Sequence, residues 1–352
     1  MKVLFLSEDG SLLPIAKRVE REGHSVHFYV NSRKFQIRGR GEVKFRSNFI
    51  GVLHGPFSIV PENIKQVIKE AQPDLCVANG KMGFVAEFVK EQGVQCVGAS
   101  RWSELLEGEY AQRILTSVKV NPIKQPSKQI KVGVSGWWDG TTFLYPQLVA
   151  RELGFMNNGG GIQLISGICS KLIPTKCKLF SSTLGKLVEI MKKINYSGPV
   201  TLDTELKAGI TLPIFCGLSE LTQGSTLKLL NGEQQNTVKK HTISLRVTLP
   251  PYPSSIGHPY IKEIQVDKKG EKHIWLVDVA DNRVGVVDGD VGWVSASGKR
   301  NPKKSETWDV WRETRRRVLR TANNIAVSLE ELQFRTDIGE EGSKVLEGIR
   351  ID

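Results

Sequence analysis

The chain has 352 residues, 39% hydrophobic and 24% charged, which suits a soluble globular protein with two or three domains. No apolar run reaches membrane-spanning length and the segment after Lys2 is too short for a signal-peptide core, so a membrane partner is excluded and a cytoplasmic location is expected. A net charge of +12 draws polyanions such as nucleic acid, nucleotides and phosphorylated substrates, and it also serves solubility alone.

Taken in chain order, Lys2–Ser7 is a short apolar run and reads as a buried strand. Leu12, Leu13, Ile15, Ala16 and Val19 recur at helical spacing, with Pro14 suited to the first turn. Ser25–Val30 is a second strand, Pro61–Ala71 a helix and Asp74–Ala78 a third strand. Gly83–Gln92 is a helix and Val94–Gly98 a fourth strand. This alternation predicts an α/β front domain, 1–116, built on a doubly wound parallel sheet. Polar residues with Pro122 and Pro126 make 117–129 a linker. Gln129–Ser135 and Thr141–Tyr145 predict a hairpin around Trp138-Asp139-Gly140, because Asp-Gly favours a tight turn. Leu184–Lys193 is an amphipathic helix. From Thr242 to Ser297 the pattern is mostly strand, with Thr242–Leu249, Trp275–Val279 and Val291–Ala296. Ser305 suits the cap of a last long helix, Glu306–Ala326. Its expected buried stripe is Trp308, Trp311, Val318, Leu319, Ala322 and Ile325.

The five cysteines contain no C-x-x-C pair, and an odd number suits a reducing compartment. Cys76 and Cys96 fall in apolar strand-like runs and read as packed core thiols. The six histidines form no cluster with metal-ligand spacing, so no metal site is predicted.

Several groups are candidates for binding. Gly10-Ser11 sits at the first strand-to-helix turn, which in a doubly wound sheet faces the ligand crevice. Gly10 lets the chain approach a ligand, and Ser11 opens a helix whose dipole attracts anions. Helix capping alone is the equal alternative. Asn79-Gly80-Lys81 follows the third strand on the same edge, with Lys81 able to meet a phosphate or simply to sit in water. Asn157-Asn158-Gly159-Gly160-Gly161 offers two amides and flexible backbone N–H groups, a nest suited to phosphate or carboxylate. The plain alternative there is an ordinary connection. Arg315 falls on the buried side of the last helix and must snorkel, stack on tryptophan or meet an anion. Two basic runs, one with Arg38 and Arg40 and one with Lys303 and Lys304, can track a phosphate backbone; a solvated face is the plain reading.

Met1-Lys2-Val3-Leu4, Ala99-Ser100, Leu106-Glu107-Gly108-Glu109-Tyr110-Ala111 and Trp138-Asp139-Gly140 come first in a series of short motifs. Asn157–Gly161, Tyr196-Ser197-Gly198, Tyr252-Pro253 and Leu332-Gln333-Phe334-Arg335-Thr336-Asp337-Ile338-Gly339 complete it. In this order the motifs resemble the phosphoribosylamine–glycine ligases. The resemblance implies an ATP-grasp-like fold with a front domain, a core at 130–240 and a small β-rich C-terminal domain at 241–352. It implies C–N bond formation between glycine or another amino acid and a phosphorylated sugar or nucleotide. It places the substrate at Asn157–Gly161. It makes Arg335 and Asp337 either a structural pair or part of the ribose-phosphate side of the cleft.

Three departures bear on chemistry. Tyr110 stands where the family has an ATP-holding lysine. Only the linker separates Tyr110 from Lys131, so the lid subdomain reads as deleted. Leu212-Pro213-Ile214-Phe215-Cys216-Gly217 stands where the acidic metal motif belongs. Magnesium wants carboxylate oxygens, and acyl-phosphate chemistry without charge neutralisation loses its main electrostatic contribution. No cofactor is therefore assigned, and ATP and magnesium are expected to bind weakly. Asp203 and Glu205 are the nearest acids, read either as metal ligands or a general base, or as two solvated acids on a strand's polar face.

The leading expectation is a ligase-like enzyme with a degenerate ATP site. The second is an ATP-independent transferase that moves an amino acid onto an activated modified nucleotide or DNA base. The third is a non-catalytic module that binds a metabolite or nucleic acid.

Overall fold

A computed structural model describes residues 1–7, 11–30, 52–54, 61–79, 82–101, 103, 106, 108–120, 123–154, 164–235, 239–248, 262–266, 271–276, 285–286, 290–298, 307–327, 332 and 334–352. The front of the chain runs β1 (Lys2–Ser7), α1 (Leu13–Arg21), β2 (Ser25–Val30), β3 (Val52–His54), α2 (Pro61–Ala71), β4 (Leu75–Ala78), α3 (Gly83–Glu91) and β5 (Gln95–Val97). The strands pair in parallel in the order β3-β2-β1-β4-β5. Val3–Leu6 of β1 and all four residues of β4 are buried, which is why both read as unbroken apolar runs. The order reverses at β1, so the topological switch point lies between β1 and β4.

After α4 (Gly108–Ser117) the chain builds a second, larger sheet. Its first strands are β6 (Ile130–Trp138), β7 (Phe143–Gly154) and β8 (Leu164–Leu172). Then come α5 (Lys178–Ser182), a 3-10 turn at Leu184–Leu187, α6 (Val188–Lys193), β9 (Gly198–Leu202) and β10 (Leu206–Ala208). Two helices follow, α7 (Leu212–Thr222) and α8 (Thr226–Leu230). The rest is β11 (His241–Thr248), β12 (Lys262–Val266), β13 (Ile274–Leu276), β14 (Gly285–Val286), β15 (Asp290–Gly298), α9 (Thr307–Asn323), β16 (Ile325–Val327) and α10 (Glu340–Gly348). Eight strands form one antiparallel sheet in the order β10-β9-β6-β7-β8-β11-β15-β13, and β14-β12-β16 form a small separate sheet.

The Asp-Gly turn forms between β6 and β7. Asp139 Oδ1 accepts from the backbone N–H groups of Thr141 at 2.7 Å and Thr142 at 2.8 Å, and Gly140 takes φ +103°. The strands it joins are longer than their alternation suggested, because β7 is buried along most of its length. The expected boundary at 240/241 falls inside the large sheet, since β11 pairs with β8. Pattern along a chain does not reveal which existing edge a later strand will join.

The last long helix ends earlier than its periodicity indicated. Ile325 leaves it and pairs with Val266 as part of a strand. Trp308, expected in the buried stripe, is exposed, while Trp311, Val318 and Ala322 are buried. Ser305 lies outside the described residues. α7 carries buried residues on every side, including Phe215, Cys216 and Leu218, so it shows no amphipathic period to read.

The two faces of the large sheet have different neighbours. One buries Ile243, Leu245 and Val294 with Trp311, Val318 and Leu346 from α9 and α10. The other joins Trp137, Val149, Phe215 and Trp275 to Val3 and Phe5 of β1 and Leu13 and Ile15 of α1. Each such large side chain contributes about 1.5–3 kcal/mol by leaving water. All five cysteines are free and buried, and Cys76 faces Cys96 across β4 and β5. Among the described residues no helix is long and apolar enough to cross a membrane.

Candidate functional site

β1 and β4 end side by side at the switch point. Just beyond β4, Asn79 N donates to Leu6 O at 3.2 Å, and Asn79 Nδ2 donates to Ser11 Oγ. Asn79 Oδ1 and Ser7 Oγ are buried, with no hydrogen-bond partner among the described residues. A buried acceptor left unmade costs about 1–3 kcal/mol, so these atoms suit a water or a ligand. The fold thus brings Ser11 and Asn79 together. Gly10 and Lys81 lie outside the described residues.

A second region lies where β7 ends at Gly154 and β8 begins at Leu164. Asn157–Gly161 fall in the connection between them, outside the described residues. The C-terminal signature grips the two strand ends. Arg335 Nη1 donates to Leu153 O at 3.4 Å and to Ser166 Oγ at 3.1 Å. Its other N–H groups reach Asp337 as a two-pronged pair, Nε to Oδ1 at 3.0 Å and Nη2 to Oδ2 at 2.6 Å. That guanidinium holds the Asp337 carboxyl below its usual range.

The turn then enters α10 through Gly339, which has φ +82° and whose Cβ, if present, would meet Ile243 Cδ1 at 2.7 Å. Gly339 N donates to Glu152 Oε1 at 3.0 Å and Oε2 at 3.2 Å, and Gly342 N donates to Oε1 at 3.0 Å. Glu152 therefore satisfies the first turn of α10. Burial pushes its carboxyl up, against the pull of those two N–H groups. Arg315 donates to Thr336 O at 2.5 Å and pairs with Glu340 at 2.6 Å. The anion that Arg315 needs is supplied by its own chain.

Asp203 and Glu205 do not share one polar strand face. β9 ends at Leu202, and Asp203 begins the turn to β10: its N donates to Glu205 O at 3.0 Å and its Oδ1 accepts from Glu205 N at 2.7 Å. Asp203 is only 3% exposed and pairs with Arg151 of β7. Gly133 leaves space for it, since a Cβ there would meet Asp203 Cβ at 3.1 Å. Glu205 is exposed and pairs with Lys207 at 2.9 Å, which holds its carboxyl down. The reading of two solvated acids is corrected for Asp203, because the turn folds it inward. Arg151 and Glu152 were not foreseen. Their signal was two adjacent charges inside the apolar run Leu148-Val149-Ala150 and Leu153. Arg38, Arg40, Lys303 and Lys304 lie outside the described residues.

This is an α/β, ATP-grasp-like fold with a parallel front sheet and an antiparallel core sheet. It is similar to phosphoribosylamine–glycine ligase from Thermotoga maritima, with a TM-score of 0.55 and 14% identity over 94% of this chain and 98% of that one. It is similar to phosphoribosylglycinamide synthetase from Anaerococcus prevotii, with a TM-score of 0.57 and 10% identity over 94% and 100%. L-amino acid ligase from Bacillus licheniformis matches with a TM-score of 0.55 and 12% identity over 94% and 99%. No protein-family model and no curated protein matches the sequence.

Asp203, the buried acid, is occupied by Arg151, and Glu205 is turned to Lys207. Among the described residues no group of three or more His, Cys, Asp or Glu side chains is placed to hold a metal ion.

Proposed function

We propose that this chain is a C–N bond-forming enzyme of ligase type with a degenerate ATP site. It joins an amino acid, glycine or a close relative, to a phosphorylated sugar or nucleotide. One observation carries the proposal: the likeness to ligases runs over nearly their whole length, and the signature turn Arg335–Gly339 holds the two strand ends that flank Asn157–Gly161. In this reading the loop, together with Ser11 and Asn79, receives the substrate's anionic groups. The amine nucleophile needs a base. Glu205 keeps an exposed carboxylate for that role, while Asp203 is committed to Arg151.

A second reading, an ATP-independent transferase acting on an activated nucleotide or DNA base, is favoured by the Arg151–Asp203 pair. In this reading the Asp203 carboxylate, held by the Arg151 guanidinium, is not offered to a divalent cation. Mass spectrometry of products from amino-acid and acceptor mixtures, with and without magnesium-ATP, separates the readings. Product that requires ATP supports the ligase; product from an activated acceptor without ATP supports the transferase. No product with any acceptor overturns both and leaves a binding module. Calorimetry with magnesium-ATP should give weak or no binding. A dissociation constant in the low micromolar range, worth roughly 7–8 kcal/mol, would overturn the degenerate site. For DNA, gel shifts at low salt should weaken steeply as salt rises, and binding absent at tens of micromolar, within the nonspecific range of about 10⁻⁴–10⁻⁶ M, removes DNA as a partner.

A further inference from the structure

α1 packs against β13 at the seam between the front domain and the large sheet. Arg18 enters that seam five residues into α1, roughly 8 Å along the helix from Leu13 at 1.5 Å per residue. It therefore lies away from the crevice at Ser11. Its guanidinium sits over the Trp275 ring at 3.5 Å from the centroid. Among the described residues its one hydrogen bond is long, Nη2 to Ile274 O at 3.4 Å. Among the described residues it forms no ion pair. Burial pushes the guanidinium down to about 10, the mark of a charge short of compensation.

Glu220 of α7 provides the main opposite charge nearby, yet its oxygens are turned elsewhere. Oε1 accepts from His273 Nδ1 at 3.0 Å and Oε2 from Ser297 Oγ at 3.3 Å. Each carboxylate oxygen has a second lone pair, so Glu220 keeps acceptor capacity. In the same seam Trp275 Nε1 is buried, without a hydrogen-bond partner among the described residues. His273 is 33% exposed, which marks an open side. Among the described residues the seam thus holds a cation and an anion that influence each other without forming an ion pair, and an indole N–H without a partner.

A simple anion drawn to Arg18 would meet repulsion from Glu220, and a simple cation the reverse. A zwitterion satisfies both. We propose that this seam binds a free α-amino acid, its carboxylate on Arg18 and its ammonium on Glu220. Trp275 Nε1 provides a further donor for the carboxylate. A guanidinium fork suits a carboxylate, and the buried setting strengthens both contacts. Occupancy ties α1 of the front domain to α7 and the β13 edge. Binding here needs neither ATP nor an acceptor, so it stands or falls apart from the bond-forming chemistry.

Calorimetry on the full chain with glycine, alanine and glutamate, and with acetate, methylamine and inorganic phosphate, tests the site. At least one amino acid should bind at about 1 mM or tighter, and acetate, methylamine and phosphate about tenfold or more weaker. Arg18→Gln and Glu220→Gln should each weaken amino-acid binding by at least about tenfold. Arg18→Lys keeps the charge without the fork and should fall between. Circular dichroism checks folding, and if Arg18→Gln fails to fold, Glu220→Gln carries the test. Amino acids that do not bind at about ten times that concentration, that bind the folded variants as well as the parent, or that bind no better than acetate or phosphate would each overturn the assignment.

Discussion

Arg151 and Arg18 are both drawn away from water, but among the described residues Arg151 meets a carboxylate and Arg18 does not. On the β9-β6-β7 side of the large sheet, each of the buried charges Arg151, Glu152 and Asp203 has a partner from its own chain. On the β11-β15-β13 side the carboxylates that influence Arg18 and His241 also have other partners. Glu220 faces His273 and Ser297 rather than Arg18. Glu347 binds Lys171 at 2.6 Å and accepts from Trp311 Nε1 at 2.9 Å, and His241 Nε2 lies 3.5 Å from Glu347 Oε1, too long for a good hydrogen bond. On the first side each charge meets its opposite, although Arg151 Nε has no hydrogen-bond partner among the described residues; on the second, Arg18 meets no carboxylate among them.

The sharpest test exchanges the two arginines for methionine. Arg151→Met strands the Asp203 carboxylate out of water and should cost about 3–5 kcal/mol in urea unfolding. Arg18→Met removes a charge without a partner and should change stability by less than about 1 kcal/mol, or raise it. Equal losses would erase the contrast between the two sides. Replacing Arg151 and Asp203 together by methionine and leucine should recover most of the single-variant loss.

His241 tests the poorly satisfied side through pH. Burial lowers it from 6.5 to about 4, so across that window the unfolded chain binds a proton that the folded chain does not. Stability should therefore fall as pH drops from 6.5 towards 4, by about 3 kcal/mol for a shift of that size. His241→Phe should flatten this part of the profile. An unchanged slope would mean that His241 titrates normally.

Glu152 tests the satisfied side. Glu152→Ala leaves two amide N–H groups of the α10 entry without their acceptor and should cost about 1–3 kcal/mol. Hydrogen exchange should then quicken first at Gly339 and Gly342. The raised Glu152 carboxyl has the opposite sign to His241: its contribution is fullest at acid pH and declines as pH rises through the folded value. Glu152→Gln keeps an acceptor and should remove that decline.

The smallest effect belongs to Glu205. Its pair with Lys207 is exposed on both sides, so Glu205→Gln should change stability by at most about 1 kcal/mol. A loss as large as that of Arg151→Met would show that the β9–β10 turn depends on Glu205 as well as Asp203. A loss of C–N bond formation with stability intact would support Glu205 as the base.

Much of the front domain was legible from residue pattern. Buried parallel strands are continuous apolar runs, and the helices between them show a single apolar stripe, so β1, β2, β4 and α2 stand where periodicity puts them. The Asp139-Gly140 turn was legible because its chemistry is local. The same locality let the order of short motifs point to the fold. Other features were not local. Arg151 and Asp203 are 52 positions apart, and Glu152 reaches Gly339 across 187. Which charge answers which is decided by strand order and by the side of the sheet each residue faces. The chain by itself determined the alternation, the turn and the C-terminal signature. Only the tertiary structure decided that Asp203 is buried against Arg151, that the signature turn anchors the strand ends beside Asn157–Gly161, and that Arg18 rests on Trp275 beside a carboxylate it does not touch. The physical reason is that periodicity reports how one element meets the core, whereas charge compensation depends on two elements brought together from distant parts of the chain.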